Sequence, residues 1–471
     1  MPEDSETEVF ESVRHDSKVM RVYASTDGSR MRIEALGDEK DIESMSGAPL
    51  QLATWQTISM IQIADIVGTG VLALGSAFAG VGWIPAFLLM FSFLPFNIYI
   101  GLMLSKLKQA YPGAFNSFKL SQYTVKNKVF KWIHYGMFYS WALGLSGAYL
   151  QTFAMSLRSI FINVGSASTI CFWQWQAIGC IVLAVTMQVR SFHDGRILYI
   201  VNAVSIAFTV LIASGYMWGQ MDNPQSTIAR APSELVATNL TWRSFVGSMS
   251  TFCFAYAGSP IYMELLGELS EPRDFPKTFL ISSPYQLVFY LISAVSQYAF
   301  QGSASGGKIT DALPEGSSVS IAANAFLATH MIVTFLCKAQ IISRDIHLNM
   351  FRKTVMDFNW KGKVHWFICT MITLSVSFLV SNAVPNFNTL LELLGAFQTP
   401  YLGFMVPSIC YFCGREKLKA IGEAPTSLAW AIIAVINIVA VGLLFLGTTS
   451  ACIDVVDSWK SSNAPFSCAA M

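Results

Sequence analysis

The chain has 471 residues, of which 53% are hydrophobic and only 13% charged, with a formal net charge of +1 and a mean hydropathy of +0.49. A water-soluble globule carries roughly 25% charged residues, so this composition describes a polytopic membrane protein. Its lysines and arginines are spread between hydrophobic runs instead of forming one basic face, which gives no basis for a nucleic-acid partner and makes the lipid bilayer the surrounding medium.

Residues 1–48 are polar, with about a dozen acidic against about six basic residues, and are predicted to be a disordered acidic cytoplasmic tail. No charged stub with a short apolar core and cleavage site appears there, so the first membrane helix is expected to act as the targeting signal. Taking about 20 residues as one crossing, eleven apolar runs follow at residues 55–79, 83–105, 132–157, 170–189, 197–218, 244–266, 278–300, 318–340, 364–382, 389–412 and 427–449. A transmembrane domain over residues 49–450 is thereby predicted, with a tail at 451–471. Between the third and fourth runs the only turn signal is Asn163-Val164-Gly165-Ser166.

The loops on the amino-terminal side of these runs collect most of the basic residues, among them Lys106, Lys108, Lys126, Lys128, Arg190, Arg196, Arg273, Lys277, Arg352, Lys353 and Lys419. The other side receives Arg158, Arg230, Arg243, Lys308 and Lys460. This asymmetry predicts a cytoplasmic amino terminus and, with eleven crossings, an extracytoplasmic carboxy terminus. The sequon Asn239-Leu240-Thr241 falls in the longest loop of the extracytoplasmic side and is a candidate glycosylation site.

The first run carries a costly arrangement. Asp65-Ile66-Val67-Gly68-Thr69-Gly70 sets a carboxylate one turn before two helix-weakening glycines in mid-span. Charge and broken backbone are tolerated at membrane depth only beside protein or a watery cavity, so this helix is predicted to line a solute site. The sixth run contains a counterpart, Phe254-Ala255-Tyr256-Ala257-Gly258-Ser259-Pro260, where Pro260 lacks an amide donor and collides with the preceding turn. Trp55 precedes Gly70 by nearly the distance that Trp242 precedes Gly258. Matching breaks at the heads of two repeats predict related halves, at about 55–218 and 244–412, with the helix at 427–449 appended.

Gly68-Thr69-Gly70-Val71-Leu72-Ala73-Leu74, Phe254-Ala255-Tyr256-Ala257-Gly258 and Glu268-Leu269-Ser270-Glu271-Pro272-Arg273-Asp274-Phe275-Pro276-Lys277 resemble the amino acid/auxin permease family, in particular its fungal neutral amino acid permeases. Pro385-Asn386-Phe387, ahead of a leucine-rich helix ending in Gly395-Ala396, fits the same pattern. The resemblance covers about residues 50–450. It implies an all-α, leucine-transporter-like fold with a 5+5 inverted repeat plus one helix, and secondary active uptake of amino acids, usually with protons. One position departs: the family's first helix has a proline soon after the glycine motif, where this chain has Gly75.

An amino acid zwitterion needs donors for its carboxylate and acceptors for its ammonium, and a broken helix offers both. Gly68, Thr69 and Gly70 are the expected carboxylate site. Phe254, Ala255, Tyr256 and Gly258 form the opposing break, whose carbonyls are expected to take the ammonium, with Phe252 and Tyr139 as aromatic neighbours that read first as ordinary core. Proton coupling needs a group that changes charge beside the site, and burial favours the neutral form of a carboxyl. Asp65 is the first choice. His330 is a second, as a relay or a remnant ion site, although a hydrogen-bonded core histidine is its plainer reading. Glu264, Glu268 and Glu392 are expected at gates or interfaces, and Lys338 is expected to snorkel toward the cytoplasm.

No cofactor is expected: the proton gradient supplies the driving force, with sodium the rival ion. The six histidines (His15, His134, His193, His330, His347 and His365) are dispersed, so no catalytic constellation is predicted and the chain does not read as an enzyme. Cys410 and Cys413 lack further metal ligands nearby. Cys171, Cys452 and Cys468 are the disulfide candidates. The remaining alternative is an amino acid receptor on a transporter scaffold. The plasma membrane is expected ahead of the vacuolar membrane, and the sequence names no protein partner.

Overall fold

In lipid every backbone donor must find its acceptor within the protein, which is why apolar runs of this length become helices. The computed structural model describes residues 13–15, 18–24, 31–35, 53–165, 169–188, 195–223, 228–354, 359–384, 386–460, 465–466 and 468. Most of the acidic amino-terminal segment, Ser166, Arg190, His193 and Pro385 lie outside the described residues, as do the side chains of His15 and Arg196.

Among the described residues, seven helices are long and apolar enough to cross a membrane: Trp83–Ala110, Ile197–Gly219, Pro272–Ala304, Ser318–Met350, Trp360–Ala383, Phe387–Cys413 and Ser427–Lys460. Four further spans complete the series of eleven. Lys128–Phe161 is a 34-residue helix and Phe172–Thr186 a 15-residue one. The other two are interrupted. The first span runs as Trp55–Ile66, Thr69–Leu72 and Leu74–Val81, and the sixth as Trp242–Ala255 and Tyr262–Glu268 joined by a 3₁₀ turn at Ser259–Ile261. Each break falls at the same place in its half of the chain.

Capping residues explain several helix starts. Thr54, Asn127, Thr241, Ser317, Asn359, Asn386 and Thr426 each accept a backbone amide of the first turn that follows. The tenth span opens into π-helical turns at Leu394–Gln398 and Pro400–Met405. There Gly395 lies against the Ser250 carbonyl of the sixth span, which holds the two helices at close approach.

The interrupted helices are joined at their amino-terminal-face ends. Ala53 donates its amide to the Glu268 carbonyl at 3.1 Å, and the Ser270 amide donates to the Ala53 carbonyl at 3.0 Å. The start of the first span and the end of the sixth are therefore tied to each other.

Two expectations about the tails change. Within the segment expected to be disordered, Val13–His15, Lys18–Ala24 and Met31–Ala35 pair as a three-stranded antiparallel sheet. Acidic composition averaged over 48 residues conceals a local stretch rich in Val, Met, Ile and Tyr, which favour strands. The eleventh helix also continues to Lys460, past the apolar run that ends near residue 449. Its polar last turns are held by Arg243, which pairs with Asp454 and with Asp457 at 3.3 Å, and by Trp459, whose indole donates to the Ala383 carbonyl at 2.8 Å.

Of the three candidate cysteines, Cys171 and Cys468 form the disulfide, while Cys452 is free and exposed. The bond joins positions 297 residues apart, tying the carboxy-terminal tail to the start of the fourth span. Closing so long a loop restricts the unfolded chain by an amount on the order of 2–5 kcal/mol. Cys171→Ser and Cys468→Ser should lower the thermal midpoint of the purified protein equally, and the double variant no further than either. Cys452→Ser should leave it unchanged. Additive losses would show that the two sulfurs act separately.

Candidate functional site

At the first break, the helix begun by Trp55 stops at Ile66. The Val67 amide still reaches the Ile63 carbonyl at 3.2 Å, and the helix resumes when Val71 donates to Gly68 at 3.3 Å. Between them, the amides of Gly68, Thr69 and Gly70 find no acceptor among the described residues. This follows from geometry, because the first amides of a helix have no carbonyl one turn behind them. All three residues are buried.

The second break lies directly opposite. A Cβ placed on Gly70 would stand 2.6 Å from the Ala255 Cα, so the two backbones touch and only glycine fits. At Gly258 a Cβ would meet the Ile66 side chain and the Tyr262 hydroxyl, at 2.5 and 2.6 Å. The three carbonyls expected to face an ammonium are already hydrogen-bonded. Phe254 accepts from the amides of Tyr256 and Ala257, the latter at 3.0 Å, Tyr256 from the Gly258 amide at 2.8 Å, and Ala255 from the Tyr290 hydroxyl and, at 3.4 Å, from the Gln286 side-chain amide. A carbonyl has two lone pairs, so among the described residues Tyr256 is the one of the three that retains a lone pair without a protein donor.

Tyr290, on the seventh span, is the residue that the sequence reading missed. Its hydroxyl lies between the Ala255 and Ile66 carbonyls, 3.1 Å from the latter, and so bridges both breaks. Gln286, one turn away, supports it at 3.1 Å. Nothing in the sequence around Tyr290 distinguishes it from other membrane tyrosines. The Tyr256 ring packs edge-on to Tyr290 with centroids 5.1 Å apart, and its buried hydroxyl has no partner among the described residues. Phe252 and Tyr139 lie elsewhere. Phe252 packs with Phe78 in an aromatic core, and Tyr139 joins Tyr135 in bonding to Asp345.

Asp65 does not stand alone. Its Oδ1 is 2.6 Å from the Lys338 Nζ of the eighth span, and the two side chains are only 15% and 5% exposed. The expectation that Lys338 snorkels toward the aqueous face is therefore corrected. A carboxylate within reach, and Trp141 beneath the ammonium at 5.5 Å, hold it in the protein interior.

His330 is wholly buried beside the first break, its Nε2 3.7 Å from where a Gly68 Cβ would be. Its Nδ1 is 3.0 Å from the Asn202 carbonyl and its Nε2 is 3.4 Å from the Thr334 hydroxyl. Asn202 in turn donates to the Ala64 carbonyl at 2.9 Å and to Thr334 at 3.1 Å. This network joins the first, fifth and eighth spans through amide and hydroxyl groups.

Gly75, the departure from the family pattern, faces the buried Gln297 side chain of the seventh span, which fills the space a Cβ would need. Gln297 also donates to the Gly307 carbonyl at 3.1 Å, so it is fixed there.

A cavity of about 1010 Å³ lies over the outer halves of both broken helices, lined by Ser76, Gly80, Gly247, Ser248, Asn388 and Glu392 among others. Arg243, Asp454 and Asp457 stand on its rim. At the opposite end, Glu264 accepts the Ser117 amide at 3.4 Å and the Glu268 carbonyl accepts Ala53, which places both acids at interfaces. Asn239 is exposed in the turn before the sixth span.

Paired helix breaks that face one another across a two-repeat bundle define a transporter of the leucine-transporter-like fold. Among solved structures, the chain aligns with the crystal structure of MhsT in complex with L-phenylalanine at a TM-score of 0.56 and 14% identity, covering 87% of this chain and 99% of that one. The family model for transmembrane amino acid transporter proteins matches residues 51–453, and the chain belongs to that family. It is similar to the N amino acid transport system protein of Neurospora crassa, with 21% identity over 98% of both chains. It is also similar to amino acid permease 1 of Arabidopsis thaliana, with 25% identity over 74% of this chain and 79% of that one. The protein is thus a multi-pass membrane transporter of amino acids and not an enzyme.

Proposed function

We propose that the protein is a proton-coupled symporter of neutral amino acids that works by alternating access around the two breaks. The observation that carries this reading is the group of three unpartnered buried amides, Gly68, Thr69 and Gly70, set against Ala255 and one turn from Asp65. The amides receive the substrate carboxylate, and the carbonyls of Phe254, Ala255 and Tyr256, beside Gly258, take the ammonium, Tyr256 through its second lone pair. Neutral substrates suit the surroundings, since the charged side chains nearest the first break, Asp65 and Lys338, are spent on each other.

Asp65 is the proposed proton carrier. Its position one turn before the amides lets a change of charge act on the same break. His330 is retained as a subsidiary member of this pathway through its contact with Asn202 and Thr334. Sodium is the second reading. The Asn202 amide already donates to the Ala64 carbonyl, and this disfavours a cation at that oxygen.

The basic loops favour a cytoplasmic amino terminus. The Cys171–Cys468 bond and the Asn239 sequon suit an extracytoplasmic location for the opposite face. Resemblance to uptake permeases favours the plasma membrane over the vacuole.

Uptake into proteoliposomes with imposed proton or sodium gradients, using a panel of labelled amino acids, tests the whole reading. Accumulation of neutral amino acids is expected with an inward proton gradient and none with sodium alone. Sodium-driven accumulation would replace the proton. Saturable binding without flux under either gradient would instead identify a receptor.

A further inference from the structure

The interrupted helices are bound closely to the seventh span. Tyr290 bridges their breaks, and Ser282 donates to Gln62 of the first span at 2.8 Å. Together with the Ala53 bonds to Glu268 and Ser270, these contacts make the first, sixth and seventh spans one group. The eighth span belongs to another, packed along the third, fifth and ninth. Among the described residues, two polar links cross from that second group to the inner half of the first span. One is the Asn202 amide on the Ala64 carbonyl. The other is the charge pair between Lys338 and Asp65.

We propose that Lys338 is a positioning residue of the transport cycle: its ammonium, paired with Asp65, latches the inner half of the first span to the eighth span and releases it when the site opens to the amino-terminal face. The proposal rests on the alternating-access reading above. A latch must be strong when made and separable on demand, and this pair has both properties. The two charges are almost withdrawn from water, so little screening weakens them. A proton that adds to the Asp65 carboxylate forms a neutral acid and leaves the ammonium intact, so the net charge of the pair rises from zero to +1 and its attraction is lost. Trp141, below Lys338, then offers the freed ammonium a π face.

Other ionisable groups around the pair are Tyr149 on the third span, Tyr199 on the fifth, Tyr262 and Glu264 on the sixth, and Cys337 on the eighth, with Tyr290 of the seventh and His330 of the eighth beside the adjoining break. Glu264 is engaged by the Ser117 amide, and His330 by Asn202 and Thr334. Among the described residues, no second carboxylate pairs with Lys338 and no second base pairs with Asp65.

The test is hydrogen exchange of the amides in residues 55–66, measured on the full-length protein in lipid nanodiscs without substrate. Lys338→Met should speed exchange there by about tenfold or more, since it removes one partner of a buried pair. Exchange in the eleventh span, remote from the latch, should not change. The reversed pair, Asp65→Lys with Lys338→Asp, should restore slow exchange.

Unchanged exchange in Lys338→Met would overturn the latch, and so would fast exchange in the reversed pair. If Lys338→Met proves too unstable to purify, the reversed pair decides alone: exchange in residues 55–66 as slow as in the wild type supports the latch, and faster exchange overturns it. Failure of the transport reading is seen separately: wild-type proteoliposomes would then show no proton-driven flux whatever the exchange result.

Discussion

Gly70→Val should abolish amino acid uptake while the protein still reaches the membrane. A Cβ at this position falls 2.6 Å from the Ala255 Cα and 3.0 Å from its Cβ. Backbone cannot turn aside as the tip of a side chain can, so the two breaks must separate. Forcing extra methyl groups into a packed site costs roughly 1–3 kcal/mol, and a shift of about 1 Å in a binding constellation costs on the order of a hundredfold in rate. Initial uptake should therefore fall by about a hundredfold. Gly215→Val is the matched control, because a Cβ there meets nothing. Wild-type saturation kinetics in Gly70→Val would remove the two-break cradle from consideration.

Asp65→Asn should remove the response of uptake to a proton gradient, and it should also reduce the amount of folded protein. The two effects have different origins. An asparagine cannot exchange a proton in this range, so coupling is lost. It also leaves the Lys338 ammonium buried without a counter-charge, and breaking such a pair from one side costs about 3–5 kcal/mol. The double variant Asp65→Asn/Lys338→Met separates them. Surface abundance should recover toward wild type, because no lone charge is left behind, while the gradient response stays absent. A double variant with both abundance and gradient response restored would reject Asp65 as the proton carrier and leave the pair a purely structural element.

Much of this architecture was legible because the membrane imposes simple rules. Each apolar run must be a helix, and an interruption inside one must face protein or water. Hence the glycines at 68 and 70 and the Ala257-Gly258-Ser259-Pro260 segment could be read as a matched pair. Tail structure was less accessible. Composition averaged over residues 1–48 conceals the strand-forming stretches within it, and hydropathy ends the eleventh helix where its residues turn polar although the backbone continues.

By itself the sequence determined the class, the eleven spans, the two breaks and the carboxylate beside the first, since each depends on residues close together in the chain. Only the tertiary structure decided which groups meet across it. That Lys338 pairs with Asp65, that Tyr290 bridges the Ile66 and Ala255 carbonyls, and that Gln297 excludes a larger residue at Gly75 are contacts between different helices, all but the one to Ala255 more than 200 positions apart in sequence. Hydrophobic periodicity says which residues are buried, but the rotation and depth at which one helix packs on another fix the partner of a buried charge.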